Sequence, residues 1–256
     1  MQVKRDPERW AVFPRRNPSA ELRLFCFPYA GGSAAAYRLW PNHFGPRVEV
    51  CAVQLPGREA RFGERPYDRV MPLAADLAEI LRPYFDRPFA FFGHSMGSLI
   101  AFELIRELRR AGRPLPATLV ASGRNAPHLP PREPLNYNLP EPELLEKLRR
   151  FEGTPEEVLA NQELMRLLLP LLRADFAVNE AYTPYDEPPF DLPILALGGT
   201  GDEEVTREGL DAWSQYTASR FAVRIFPGGH FFLNSSPAEV TAAVREEIRA
   251  ATGIAA

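Results

Sequence analysis

Cysteine is nearly absent from this chain, with two in 256 residues. Cys26 and Cys51 are too few for a disulfide framework, and both sit in apolar runs where buried core thiols are expected. Also missing is any apolar run near the ~18 residues that a membrane span needs, so no membrane association is expected. The opening residues carry charge (Lys4, Arg5, Asp6, Glu8, Arg9) instead of the apolar stretch of a secretory signal, and a cytoplasmic location is expected. There is no excess of basic charge. The 30 Lys and Arg against 33 Asp and Glu give a net −3, which argues against a nucleic-acid partner. Nor does the chain have the low hydrophobicity of a disordered one: 45% of it is hydrophobic and 25% charged, an ordinary globular balance. The histidines and cysteines lack zinc spacing, and no dinucleotide or Walker fingerprint occurs, so neither a metal nor a bound cofactor is expected. No sustained heptad appears, and a monomer is expected. Proline, by contrast, is plentiful at 27 residues and marks loops and helix ends.

Short apolar runs alternate with helical patterns. Strands are expected at 22–27, 48–55, 89–92, 118–121, 194–197 and 221–226. They are near-continuous in apolar character, as expected of parallel strands buried on both faces. Helical patterns lie at 34–44, 70–84, 96–111, 203–217 and 237–251. This rhythm predicts an α/β fold with a mostly parallel central sheet flanked by helices. It breaks between 126 and 189, where proline-rich links at 127–134 and 184–193 enclose helical patterns at 142–151, 155–159 and 162–178. The expected organisation is a core in two parts, 1–125 and 190–256, interrupted by a helical insertion at 126–189. The last helix of the insertion, kinked by Pro170, carries more leucine than one buried stripe needs. One side is expected to dock on the core or to line an apolar pocket, with Leu168 and Leu172 as candidate substrate-binding residues.

Gly93-His94-Ser95-Met96-Gly97 fits the G-x-S-x-G nucleophile elbow, with an apolar run before it and a helical pattern after it. A sharp turn would lift the Ser95 hydroxyl above the sheet, and the glycines would remove Cβ atoms from the corner. A serine needs a base. Of the four histidines, His230 follows the last strand through two glycines and is the candidate. His94 is expected to pack beside the serine, and His43 and His128 to lie at the surface or in loops. Asp202, in a loop after the 194–197 strand, is the candidate acid in the order Ser, acid, His; its alternative role is to cap the helix beginning at Glu203. The oxyanion donors are expected to be the backbone amides of Met96 and of Ala30 in the glycine-rich loop after the 22–27 strand, with Tyr29 as second choice.

Several segments carry a resemblance: Leu24 to Gly32, Gln54-Leu55-Pro56-Gly57-Arg58-Glu59-Ala60-Arg61, the elbow, Phe102-Glu103-Leu104, Ser122-Gly123-Arg124, Pro170-Leu171-Leu172-Arg173-Ala174-Asp175-Phe176, Gly198-Gly199, and Gly228-Gly229-His230-Phe231-Phe232-Leu233. Together they resemble the type II (editing) thioesterases of nonribosomal peptide and polyketide synthases, of the α/β-hydrolase superfamily. Ser98 departs from the alanine often found there, without an expected effect on catalysis. The resemblance implies an α/β-hydrolase fold with the insertion as a helical lid, a triad on Ser95, Asp202 and His230, and oxyanion donors on Ala30 and Met96. It also implies hydrolysis of stalled or aberrant acyl groups from the phosphopantetheine arm of partner acyl or peptidyl carrier proteins. A carboxylesterase or lipase acting on free esters, and a non-catalytic acyl-carrier binding module, are the alternatives. Carrier proteins are commonly acidic, so Arg58, Arg61 and Arg65 are candidates for docking; Arg106, Arg109 and Arg110 read more simply as a solvated helix face.

Overall fold

In the computed structural model, which describes residues 6–131, 134–151, 153 and 156–256, the apolar runs become strands β2 to β7. The strands are β1 (Ala11–Val12), β2 (Leu22–Phe27), β3 (Val48–Val53), β4 (Phe89–His94), β5 (Leu119–Ser122), β6 (Ile194–Gly199) and β7 (Phe221–Phe226). Among the described residues they form one sheet in the order β1-β3-β2-β4-β5-β6-β7, parallel except where β1 pairs antiparallel with β3. The helices are α1 (Val70–Ile80), α2 (Met96–Arg110), α3 (Glu141–Phe151), α4 (Glu156–Leu159), α5 (Gln162–Glu180), α6 (Arg207–Asp211), α7 (Phe232–Ser235) and α8 (Pro237–Thr252).

Alternation along β2 shows why the inner strands are mostly apolar on both faces. Phe25 and Phe27 face one core layer with Leu73 and Leu77 of α1 and Leu99 and Phe102 of α2. Leu22, Leu24 and Cys26 face the other layer with Tyr37, Trp40 and, from α8, Val240, Val244 and Ile248. Covering both faces is what a parallel sheet requires. Cys26 and Cys51 are free and buried, as expected.

Three helices differ from the sequence reading. Residues 34–44 form two 3₁₀ turns, Ala34–Tyr37 and Trp40–Asn42. Pro41 has no N–H to offer an α-turn, and the buried Tyr37 and Trp40 are three apart, a spacing that eclipses in a 3₁₀ helix. The 70–84 helix ends at Ile80, and a 3₁₀ turn, Arg82–Tyr84, carries Pro83. The helix expected from Glu203 begins only at Arg207, where the Thr206 side chain accepts the Gly209 amide at 3.0 Å.

Between β5 and β6 the chain makes α3, α4 and α5. The expected 155–159 helix is seen as Glu156–Leu159, Pro155 lying outside the described residues, as do 132 and 133 of the proline-rich link. Leu144, Leu148, Leu159, Met165, Leu169, Leu172 and Phe176 form a separate apolar cluster within this insertion. α5 continues on both sides of Pro170, and its Val178 joins the core beside α2.

The link back to β6 is anchored by Glu103 of α2, which is completely buried. Its carboxylate accepts from the hydroxyls of Tyr182 and Tyr185, each at 2.7 Å, and from Arg106 Nη1 at 3.0 Å. The expected solvated arginine face is corrected at Arg106, whereas Arg109 is half-buried and Arg110 is exposed as expected. Arg106 is 2% exposed, and Arg109 and Arg110 are held by Glu187 and Tyr185. Polarity alone suggests exposure, but four charged or phenolic groups here satisfy one another inside the fold.

Candidate active site

The site begins where β4 meets α2. Ser95, between them, has φ 54° and ψ −117°, a left-handed-side conformation that non-glycine residues rarely adopt. Its amide donates to the Ser122 carbonyl on β5 at 2.7 Å. The flanking glycines follow from geometry. A Cβ on Gly93 would lie 2.2 Å from the Gly97 carbonyl oxygen, and one on Gly97 would lie 2.1 Å from that of Phe27. Met96 opens α2, so its amide has no partner within the helix and sits at the positive end of the helix dipole.

Ser98, which the sequence gives no reason to single out for structure, braces this corner. Its buried hydroxyl lies 2.8 Å from the Gly93 carbonyl and 2.9 Å from that of Ser122, and accepts the Ser122 amide at 3.0 Å. His94 is also fully buried, with Nδ1 2.9 Å from Ser122 Oγ. Burial, reinforced by the nearby His230, holds its imidazole well below the ordinary histidine range.

His230 follows β7 through Gly228-Gly229. Its Nδ1 donates to Asp202 Oδ2 at 2.8 Å, and the Asp202 side chain is wholly buried. The other oxygen of Asp202, Oδ1, accepts the Glu204 amide at 2.9 Å in a local turn, and the expected helix-capping role is corrected, since the next helix begins at Arg207 with Thr206 as its cap. That arrangement fixes the carboxylate and the Nδ1–H tautomer, leaving Nε2 as the basic nitrogen. Phe231 stands edge-on to the His230 ring at 5.2 Å and Phe151 of α3 lies 6.2 Å away, so apolar surfaces flank the imidazole.

The loop after β2 is held from an unexpected direction. Arg58 and Arg61, expected as docking residues, are 5% and 2% exposed. Arg58 grips Asp175 of α5 with two bonds, Nη1 to Oδ2 at 2.9 Å and Nη2 to Oδ1 at 2.8 Å, and also donates to the Gly32 carbonyl at 2.7 Å. Asp175 Oδ2 in turn accepts the Gly31 amide at 2.7 Å. Arg61 lies over the Trp10 ring at 4.1 Å and pairs with Glu64 at 2.6 Å. Of that trio only Arg65 is exposed.

These elements surround a cavity of about 610 Å³. Ser95, His230, Ala30, Gly31 and Tyr29 line it on the sheet side, and Leu148, Phe151, Leu168, Leu171, Leu172 and Phe176 on the insertion side. The structure thus brings together Ser95, Ala30, Leu168, Leu172 and His230, with Asp202 behind the histidine. His128 lies away, 3.1 Å from the Tyr216 hydroxyl. Among the described residues no cluster of His, Cys, Asp or Glu could hold a metal, and no helix is long and apolar enough to cross a membrane.

Comparison with known proteins bears on the family and the fold. The family profile described as "Thioesterase domain" matches residues 22–251. The gramicidin S biosynthesis protein GrsT of Aneurinibacillus migulanus is 43% identical over 94% of this chain and 94% of its own length. Among solved structures, the RedJ thioesterase of the prodiginine biosynthetic pathway in Streptomyces coelicolor is 40% identical, covers 92% of this chain and 89% of its own, and superposes with a TM-score of 0.85. The type II thioesterase BorB of the borrelidin biosynthetic cluster is 37% identical, covers 97% of this chain and 100% of its own, and has a TM-score of 0.86.

Proposed function

This chain belongs to the thioesterase family, as a type II thioesterase of the α/β-hydrolase superfamily, and we propose that it hydrolyses acyl groups stalled on the phosphopantetheine arm of carrier proteins in a nonribosomal peptide or polyketide synthase. The observation that carries the mechanism is the convergence on one cavity of a serine at a strained strand–helix corner and a histidine bonded at 2.8 Å to a buried aspartate.

Ser95 Oγ attacks the thioester carbonyl carbon while His230 Nε2 takes its proton. Asp202 keeps the ring oriented and offsets the imidazolium charge. The amides of Met96 and Ala30 receive the carbonyl oxygen as it becomes an oxyanion, each contributing about 3 kcal/mol. The C–S bond breaks, His230 returns the proton to the departing sulfur, and an ester on Ser95 remains. A water deprotonated by the same histidine attacks that ester and releases the free acid and Ser95. The helices of 126–189 act as a lid whose leucines, Leu168 and Leu172 among them, border the acyl chain.

Acid release from a carrier protein loaded with acetyl, butyryl or octanoyl phosphopantetheine tests this reading. Wild type is expected to release the acids, and Ser95→Ala to lower the rate by about 10³-fold or more. Turnover of oxygen esters with none of the carrier thioesters would mark a carboxylesterase instead. No turnover of either would mark a binding module.

A further inference from the structure

Among the described residues, three charged residues in the cavity lining, Arg124, Glu180 and Glu204, have no part in the mechanism above, and Arg124 is the only cation among them. Arg124 follows β5 by two positions, next to the strand end whose Ser122 carbonyl holds the Ser95 amide. It lines the cavity together with Ser95, Asn136, Asn179 and Glu180. Its guanidinium is enclosed. Nη1 donates to Asn179 Oδ1, whereas Nε is buried with no acceptor. Among the described residues no carboxylate lies within ion-pair distance of it. Glu180 is committed elsewhere, to Asn136 Nδ2 and to the Tyr137 amide at 3.2 Å. Burial lowers the Arg124 pKa to about 10, so the group stays cationic at neutral pH. Asn136 Oδ1, on another residue of the lining, is a second buried atom without a partner.

A chamber for plain alkyl chains gains nothing from such groups. Buried donors and acceptors are almost always paired, and leaving them unpaired costs stability. A buried donor and a buried acceptor without protein partners, on two residues that line the cavity, suit a ligand that carries oxygen. We infer that Arg124 determines acyl specificity by donating to an oxygen on the acyl group (a ketone, a hydroxyl or a carboxylate), so that oxygen-bearing acyl groups are released in preference to alkyl groups of the same length. This inference rests on the thioesterase reading and adds a substrate class to it.

Four-carbon groups on one carrier protein test it: butyryl, acetoacetyl, 3-hydroxybutyryl and succinyl, each with wild type, Arg124→Met, Arg124→Lys and Ser95→Ala. Wild type is expected to show kcat/KM about tenfold or more above butyryl for at least one oxygenated group, the scale of a charge-assisted hydrogen bond. Arg124→Met is expected to bring that ratio close to one. Arg124→Lys, which keeps the charge and loses the planar fork, separates the sources: succinyl preference is retained if a carboxylate is read, and lost with the ketone and hydroxyl preferences if geometry is read. No wild-type preference for any oxygenated group overturns the inference, whether or not Arg124→Met folds. So does an unchanged ratio in Arg124→Met. If butyryl is released in a Ser95-dependent way in either of those cases, the thioesterase reading stands and this inference alone falls. Failure of wild type to release any of the four overturns both.

Discussion

His94 shows how a single side chain at the elbow sets a condition on pH. Its imidazole is buried against Ser122 and His230 and held well below the ordinary range. In the unfolded chain the same group takes up a proton below about pH 6.5. Between those two pKa values the unfolded state binds the extra proton, so stability falls as pH drops through about 6.5. His94→Asn, whose amide can occupy the place of Nδ1, is expected to flatten this dependence. Melting temperatures from pH 7.5 to 5 check it, and an undiminished slope in the variant would place the effect elsewhere. Ser98→Ala removes a hydroxyl that spans two strands and is expected to cost about 1–2 kcal/mol in denaturant unfolding while kcat stays within a few-fold. The elbow was legible in the sequence because its glycines and serine occur at a fixed spacing. Ser98 was not, because a serine on a helix carries no sign of which carbonyls it will meet.

At the scale of elements, the Arg58–Asp175 pair joins a core loop to α5 across 117 positions of chain. Removing one partner leaves the other charge buried and alone, so Arg58→Met is expected to lower stability by about 3–5 kcal/mol. Arg58→Met with Asp175→Leu is expected to recover a substantial part of that loss. Urea unfolding of the two single variants and the double variant reads the coupling, and additive losses would show that the pair does not act as a unit. The sequence made both segments stand out, Pro56 to Arg61 and Arg173 to Phe176, without showing that they touch. Arginines look exposed in a sequence because burial depends on a partner supplied by distant chain. The same blindness turned Arg106 into a surface residue, whereas β2 to β7, marked by their own mostly apolar runs, were read nearly to their ends. The two-residue β1 was too short to leave a pattern.

The molecule as a whole places a sheet-borne reactive centre against a helical insertion with its own apolar cluster. Chain-length preference is expected to lie in that insertion. Leu168→Asn or Leu172→Asn exchanges apolar surface for an amide at the cavity wall and is expected to lower octanoyl relative to acetyl release by about tenfold, roughly the transfer free energy of two methylenes. An unchanged acyl profile would place the chain elsewhere. Of the two, Leu172 also meets the loop after β2, since a Cβ on Gly31 would lie 2.7 Å from its Cδ2.

The contact between Asp175 and the Gly31 amide ties the loop after β2 to α5. One carboxylate on α5 orders the backbone that neighbours the Ala30 amide, while the same helix walls the acyl chamber. Any movement of α5 that carries Asp175 away is therefore expected to leave the Gly31 amide without its acceptor.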